Sequence, residues 1–99
     1  MTAYLIATVR PTGNAEELAE YRQRVGPTLE PYGGRYLARS EPIAVLEGDW
    51  GGAQVVVVEF PDTASARAWN DSAAYREIAS LRMRNTLSVR VIVEGVAEA

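Results

Sequence analysis

The sequence predicts a single α+β domain, an antiparallel sheet with helices on one face. Segments rich in β-branched and aromatic residues are typical of strands and recur at residues 3–9, 35–39, 54–60 and 87–93. Segments with apolar residues at helical spacing separate the first strand from the second and the third from the fourth. Two such β-α-β halves within residues 1–99 predict the ferredoxin-like split βαβ sandwich.

The first half of the chain supplies one strand and one helix. The strand, Ala3 to Val9, is a compact apolar run, and Asn14 is placed to cap the helix that follows. Apolar residues then recur at spacings of three and four, which predicts a helix to about Glu30 or Tyr32. Gly26-Pro27 is predicted to kink or loosen that helix, because proline removes a backbone donor and crowds the preceding turn.

The middle of the chain is predicted to form strands joined by a turn. Arg35 to Arg39 alternates in polarity, Ile43 to Leu46 reads as a short further strand, and Gly48 to Gly52 reads as a turn. Gln54 to Phe60 contains four consecutive valines, which indicates a strand covered on both faces at the centre of the sheet.

The last third predicts two helical segments and a strand. Asp62 caps the first segment, and Asn70-Asp71-Ser72 interrupts it and caps a second segment over about Ala73 to Arg84. The final strand is Leu87 to Val93. With helices on one face only, the other, largely apolar sheet face needs a cover. We expect a homodimer through the open sheet face, a dimeric α+β barrel.

Composition excludes several classes of function. The 99 residues contain no Cys, no His and no Lys, which removes disulfides, Ser-His-Asp triads, Cys-His dyads and Schiff-base chemistry. The net charge is −3, and acidic and basic residues are interspersed along the sequence. The sequence therefore predicts no broad basic face, and we expect no nucleic-acid partner. No stretch is long and apolar enough for a membrane span, and no secretory signal is visible, so a cytoplasmic location is expected. No set of carboxylates in the sequence has the spacing of metal ligands, and we expect neither a metal nor a cofactor.

Arg82 is the most informative single residue, because a helical projection places it on the apolar stripe of Tyr75 and Ile78. A buried guanidinium needs a partner. The partner is either a carboxylate such as Glu47 or Glu59, or an anionic ligand; a third alternative is that Arg82 extends to solvent.

The remaining candidate site residues are two glutamates and four residues that are suited to line a pocket. Glu59 and Glu47 stand at strand ends, where each either transfers a proton or forms a structural ion pair with an arginine. Four other residues are candidates for substrate binding, although the aromatic ones also suit the core or a dimer interface: Arg35, Tyr36, Trp69 and Tyr75.

Eight short fragments in this order resemble a bacterial family known as domain of unknown function 1330. They are Ala3-Tyr4-Leu5-Ile6, Tyr21-Arg22, Gly33-Gly34-Arg35-Tyr36-Leu37, Leu46-Glu47-Gly48-Asp49-Trp50, Val58-Glu59-Phe60-Pro61, Ala66-Arg67-Ala68-Trp69, Ser72-Ala73-Ala74-Tyr75 and Leu81-Arg82. The resemblance implies the dimeric α+β barrel fold and no particular reaction. Relatives in fold include cofactor-free monooxygenases, polyketide cyclases and muconolactone-type isomerases, which bind a small organic substrate between sheet and helices.

Two hypotheses of function follow. In the first, the protein is a cofactor-independent isomerase, cyclase or monooxygenase for a small oxygenated or aromatic metabolite. Arg82 or Arg35 would hold an oxyanion, Glu59 or Glu47 would move a proton, and the aromatic residues would shape the pocket. In the second, the protein is a non-catalytic ligand-binding or structural dimer of the same fold.

Overall fold

The computed structural model describes residues 1–97, and its four strands form one antiparallel sheet with the helices on one face. In chain order the elements are β1 (Ala3–Pro11), α1 (Ala15–Leu29), a 3₁₀ turn (Glu30–Tyr32), β2 (Arg35–Ser40), β3 (Gln54–Phe60), α2 (Thr63–Asp71), α3 (Ala73–Met83) and β4 (Thr86–Glu94). The strand order is β2-β3-β1-β4. The predicted ferredoxin-like fold is confirmed.

At the N-terminus of each α-helix, a side chain accepts a hydrogen bond from a backbone N–H group that has no partner within the helix. Asn14 accepts a hydrogen bond from the Glu17 N–H, Asp62 from the Ser65 N–H, and Ser72 from the Tyr75 N–H. The three predicted caps are therefore present, and the predicted break between the second and third helices falls at Ser72. No helix within residues 1–97 is long and apolar enough to cross a membrane.

Helix α1 includes Gly26 and Pro27 and continues to Leu29. One local prediction differs from the structure. The short strand expected at Ile43 to Leu46 is absent, and residues 41–53 form a loop in which Ile43 and Leu46 are exposed. Glycines with positive φ close to this segment favour turns over a continuous strand.

The core lies between the helices and the inner face of the sheet. Phe60 of β3 packs against Trp69 of α2, and Trp69 packs against Tyr75 of α3, with ring centroids 5.7 and 4.3 Å apart. Strand β3 is an internal strand, as predicted. Its Val58 is buried against the helices, whereas Val55 and Val57 lie on the open face and are half-buried.

Asn85 joins the turn after α3 to the start of α1. Its side chain accepts a hydrogen bond from the Asn14 N–H and donates to Glu17 and to the Leu81 carbonyl, while its own carbonyl accepts from Thr12 and Gly13. A Cβ at Gly13 would lie 2.5 Å from the Asn85 Oδ1, so the close approach requires glycine. This contact holds the end of α3, which carries Arg82, against the rest of the domain.

Replacing Asn85 with alanine is expected to lower the free energy of unfolding by about 2 kcal/mol or more. The change removes the hydrogen bonds of the Asn85 side chain with the Asn14 N–H, Glu17 and the Leu81 carbonyl, and each lost hydrogen bond costs about 0.5–1.5 kcal/mol. Urea denaturation measures the loss. Asn70→Ala is the matched control, because Asn70 makes no side-chain hydrogen bond within residues 1–97 and should change stability by only about 0.5 kcal/mol. Similar losses in both variants would contradict the role given to Asn85.

Stability should fall with acid partly through Glu17. Hydrogen bonds from Arg84 and Asn85 lower the pKa of Glu17 from 4.5 to about 2. A lowered folded-state pKa gives stability that is present above the unfolded value and is lost as the pH falls toward 2. Glu17→Gln should therefore reduce the melting temperature at pH 7, and the difference from the wild type should vanish near pH 2. Glu20→Gln, which breaks an exposed pair with Arg24 on the same helix, is the control. A wild-type advantage over Glu17→Gln that persists at pH 2 would contradict this explanation.

Candidate functional site

A small cavity lies between the inner face of the sheet and the helices. Its volume is about 50 Å³, which is little more than the space of one or two molecules of liquid water at about 30 Å³ each. The walls are mostly apolar, with Leu5 and Val58 from the sheet and Val25 and Trp69 from the helices. The charged and phenolic side chains of the lining are Tyr21, Arg22, Tyr36, Arg39, Arg82 and Arg90.

Arg82, Tyr75 and Tyr21 form a chain of hydrogen bonds that ends at the cavity. The Arg82 Nε–H donates to the Tyr75 oxygen at 3.2 Å, and the Tyr75 and Tyr21 hydroxyl oxygens lie 2.9 Å apart. Arg82 and Tyr75 are 8% and 2% exposed, so neither relies on water for these bonds. Residues from α1 and α3 are thus joined through polar side chains inside the core.

The direction of this chain follows from what each group can donate. A guanidinium has no acceptor, so the Tyr75 oxygen must accept from Arg82. The buried Tyr75 hydroxyl proton then has Tyr21 as its partner, and Tyr75 donates to Tyr21. The Tyr21 hydroxyl proton is left to donate elsewhere, and Tyr21 is the phenol of this pair that lines the cavity.

Tyr21 stays protonated across the ordinary pH range. Burial raises its pKa above the usual value of 10, and the neighbouring Tyr75 hydroxyl raises it further. A neutral phenol in this position is a hydrogen-bond donor rather than a base. Burial also raises the pKa of Tyr36 on the opposite wall of the cavity.

Arg90 reaches the cavity from the inner face of β4, where it stands opposite Ala7 of β1. Its guanidinium carbon lies 5.7 Å from the Trp69 ring centroid and 5.2 Å from that of Tyr75, within the range of cation–π contacts. The Arg90 Nη2 is buried and has no hydrogen-bond partner within residues 1–97. A buried nitrogen of a charged group without an acceptor is unusual in a folded protein.

An irregularity in β2 brings both Tyr36 and Arg39 to the cavity. Tyr36 pairs with Val58 and Arg39 with Val56, and both partners face inward, because the register shifts between Tyr36 and Ala38. A β-bulge of this kind allows residues three apart to share a face. The Arg39 guanidinium lies 4.5 Å above the Tyr36 ring, and Arg39 and Arg22 are exposed at the mouth.

Trp69 is held at the cavity wall by a hydrogen bond at its indole nitrogen. The Trp69 Nε1–H donates to the Thr28 Oγ1 at 2.9 Å, which ties α2 to α1. Trp69 and Tyr75, both predicted to bind substrate, flank the break between α2 and α3. Both are 2% exposed; Trp69 forms part of the cavity wall and Tyr75 lies behind it.

Three of the predicted site residues lie away from this cavity. Glu59 and Arg35 pair at 3.0 Å on the open face of the sheet, opposite the cavity. Alternation along β3 causes this, because Val58 and Phe60 face the helices and Glu59 between them faces away. Glu47 is exposed in the loop of residues 41–53. This placement corrects the expectation that these acids and Arg35 share a pocket with Arg82.

Of the predicted residues, the structure brings Arg82, Tyr36 and Trp69 to the cavity, with Tyr75 behind them. Sequence reasoning missed Tyr21, Arg90 and Arg39 as members of this site. The alternation of Ser88, Arg90 and Ile92 with valines in β4 was a signal that Arg90 shares one face, although it does not tell which face is inner. Within residues 1–97, acidic side chains do not gather into a group able to hold a metal ion.

Solved structures of the same fold come from several bacteria. A protein of unknown function from Rhodopseudomonas palustris superposes with a TM-score of 0.75 at 18% identity, covering 98% of this chain and 84% of its own. A dimeric ferredoxin-like protein of unknown function from Jannaschia sp. CCS1 gives a TM-score of 0.76 at 11% identity, covering 96% of this chain and 100% of its own. SnoaB, a cofactor-independent oxygenase from Streptomyces nogalater, gives 0.69 at 11% identity, covering 98% and 95%.

At these identities the similarity shows the fold alone. A search of curated proteins finds no match. The family model described as "Domain of unknown function (DUF1330)" matches residues 2–96, nearly the whole chain. The fragments spread along the sequence indicated the same family, and the match confirms it: the chain belongs to the DUF1330 family.

Proposed function

We propose that this protein binds a small organic molecule in the cavity between sheet and helices and acts on it without a cofactor. The observation that carries the proposal is the cavity itself, with apolar and aromatic walls and three donors among its polar groups: Tyr21, Arg82 and Arg90. Sites for small molecules commonly combine a mostly apolar lining with a few placed polar groups.

The chemistry these groups supply is stabilisation of negative charge on oxygen. Isomerisation, cyclisation and cofactor-free oxygenation of a carbonyl or phenolic compound all build up charge on a substrate oxygen. Guanidinium groups and a neutral phenol in a site with little water are suited to stabilise such an oxyanion. Tyr21 is a hydrogen-bond donor in this proposal, because its raised pKa keeps the proton on the phenol. The cofactor-independent oxygenase SnoaB, which has the same fold, gives a precedent for such chemistry on this architecture.

A second candidate is binding without turnover. One observation favours it: no carboxylate of residues 1–97 lines the cavity, and the expected bases Glu47 and Glu59 lie elsewhere. In this case the same arginines and aromatic side chains hold a ligand that leaves unchanged. Product formation over repeated turnovers would distinguish the enzyme from the binding protein. A cytoplasmic location stays a prediction under both candidates.

Fluorescence of Trp69 offers a direct test of ligand binding. Trp50 lies in the exposed loop and Trp69 in the cavity wall, so a Trp50→Phe variant reports on the cavity alone. Titration of this variant with benzoate, 4-hydroxybenzoate, phenol and benzyl alcohol is expected to give a saturable change for at least one compound. Incubation of the wild type with compounds that bind, followed by chromatography, tests turnover.

The matched control is Trp69→Phe, which retains Trp50 as its only tryptophan and should show no saturable change. Far-ultraviolet circular dichroism establishes that both variants are folded. If none of the four compounds changes Trp69 fluorescence saturably, the proposed binding function is wrong. An equal change in both variants would show that the signal arises outside the cavity.

We also propose that two copies assemble through the open sheet face, as the dimeric neighbours suggest. This face carries a row of apolar side chains on β4 that are at least 40% exposed in the single chain, namely Leu87, Val89, Val91 and Val93. Ile6 and Val57 continue the surface on the neighbouring strands. An apolar area of this kind on a small protein is typical of a contact site.

Val91→Glu should convert a dimer into a monomer, because Val91 lies opposite Ile6 within the row and a buried, unpaired carboxylate is costly. Light scattering is expected to give about twice 10.8 kDa for the wild type and about 10.8 kDa for the variant. Met83→Glu adds the same charge on a helix and should remain dimeric. A monomeric wild type at micromolar concentration would contradict the proposed assembly.

A further inference from the structure

We propose that the ligand of this cavity is a small aromatic carboxylate, held as the anion by Arg90 and Arg82. The inference rests on the proposed function, since it assumes that a ligand occupies this cavity, and it adds the chemical class. Four features of the structure support it: the charge of the lining, the unpaired Arg90 nitrogen, the free donor on Tyr21 and the aromatic wall.

The charge of the lining is one-sided. Four arginines line the cavity and no Asp or Glu of residues 1–97 does. By contrast, Arg24, Arg35 and Arg84 each pair with a glutamate at the surface within 4 Å. Like charges around a space of about 50 Å³ repel one another unless an anion enters. The pattern therefore favours a negatively charged ligand over a neutral one.

The most specific of these four features is the unpaired nitrogen of Arg90. Its Nη2 is buried, lacks an acceptor within residues 1–97 and belongs to a side chain that lines the cavity. Leaving a charged donor buried without a partner is unfavourable, and a carboxylate oxygen is an acceptor whose planar geometry suits a guanidinium. A bound carboxylate would supply the missing hydrogen bond without any change in the backbone.

Tyr21 provides a third donor to the same space. Because Tyr75 accepts from Arg82 and donates to Tyr21, the Tyr21 proton is free to donate to a second ligand oxygen. An anion that accepts from Arg90, Arg82 and Tyr21 has more than one oxygen. A carboxylate meets this requirement, whereas an alcohol or an amine does not.

The apolar walls argue for an organic acid rather than an inorganic anion. Trp69 and the sheet residues Leu5 and Val58 offer flat and aliphatic surface but no further hydrogen-bonding group. The cavity of about 50 Å³ is smaller than the roughly 150 Å³ of an apolar cavity that binds benzene, so even a single ring enters only if the exposed Arg22 and Arg39 at the mouth move outward. A ligand whose ring packs on Trp69 and whose carboxylate faces Arg90 would contact both the apolar wall and the charged donors.

The test compares probes of the same shape and different charge. Benzoate, benzyl alcohol and sulfate are titrated separately into the Trp50→Phe protein, with Trp69 fluorescence as the readout. We expect benzoate to bind at least tenfold more tightly than benzyl alcohol, and sulfate to bind more weakly than benzoate. Arg90→Gln should weaken benzoate about tenfold to a hundredfold, as loss of a charge-assisted hydrogen bond implies, and leave benzyl alcohol unchanged.

Arg67→Gln is the matched control, because it removes the same charge from an exposed position on α2 outside the cavity. It should leave benzoate affinity within about twofold, as expected for a distant, screened charge. Equal losses in both arginine variants would show a general charge effect and overturn the proposal. Equal or weaker binding of benzoate relative to benzyl alcohol would overturn the anionic class while leaving the proposed binding function intact. Tighter binding of sulfate than benzoate would identify an inorganic anion site instead.

A second pair of measurements separates ligand binding from structural support. Without ligand, Arg90→Gln should lower the melting temperature only slightly, because Arg90 has no ion pair within residues 1–97 to lose and gives up only its cation–π contacts with Trp69 and Tyr75. Tyr21→Phe should weaken benzoate about twofold to tenfold through loss of one neutral hydrogen bond, whereas Tyr32→Phe should not. A large loss of stability in Arg90→Gln, with benzoate binding unaffected, would make Arg90 a structural residue and overturn the proposal.

Discussion

The two-residue alternation of side chains along the strands decides which chemical groups can meet in this protein. On β3 it turns Val58 and Phe60 toward the helices and Glu59 toward the open face. On β4 it turns Arg90 toward the helices and its valine neighbours away. The sheet thus separates an arginine-lined cavity from an apolar surface that also carries the Arg35–Glu59 pair. The proposed cavity chemistry and the proposed assembly use opposite faces of the same strands.

A buried guanidinium requires support from the surrounding core, and for Arg82 the support comes from its neighbours. The Arg82 carbonyl accepts hydrogen bonds from the Asn85 N–H and the Thr86 hydroxyl, and its Nε donates to Tyr75. Asn85 in turn joins this turn to the start of α1. These bonds hold Arg82 in place, which would lower the ordering cost of binding the proposed ligand.

The sequence predicts the fold well and the site only in part. Strand and helix positions follow from apolar spacing and from caps such as Asp62 and Ser72, which act locally. Arg82 was identifiable because a charged residue interrupts an apolar helical stripe. Glu59 was misplaced because four valines obscured the alternation of β3 and left its inner face undetermined. Tyr21 is not predictable as a cavity residue from the sequence, because its hydroxyl contact with Tyr75 joins residues 54 positions apart.

The position of Arg39 does not follow from the sequence, for a different reason. Strict alternation places it with Arg35 on the open face, and only the irregularity after Tyr36 turns it to the mouth of the cavity. The irregularity lies in an edge strand, where a change of register leaves the central strand pairs intact. If the β-bulge lay after Arg39 instead of before it, Ala38 rather than Arg39 would face the mouth of the cavity. Within a family built on this sheet, selection could therefore change the charge at the entrance by shifting a register, with no substitution at any residue of the cavity.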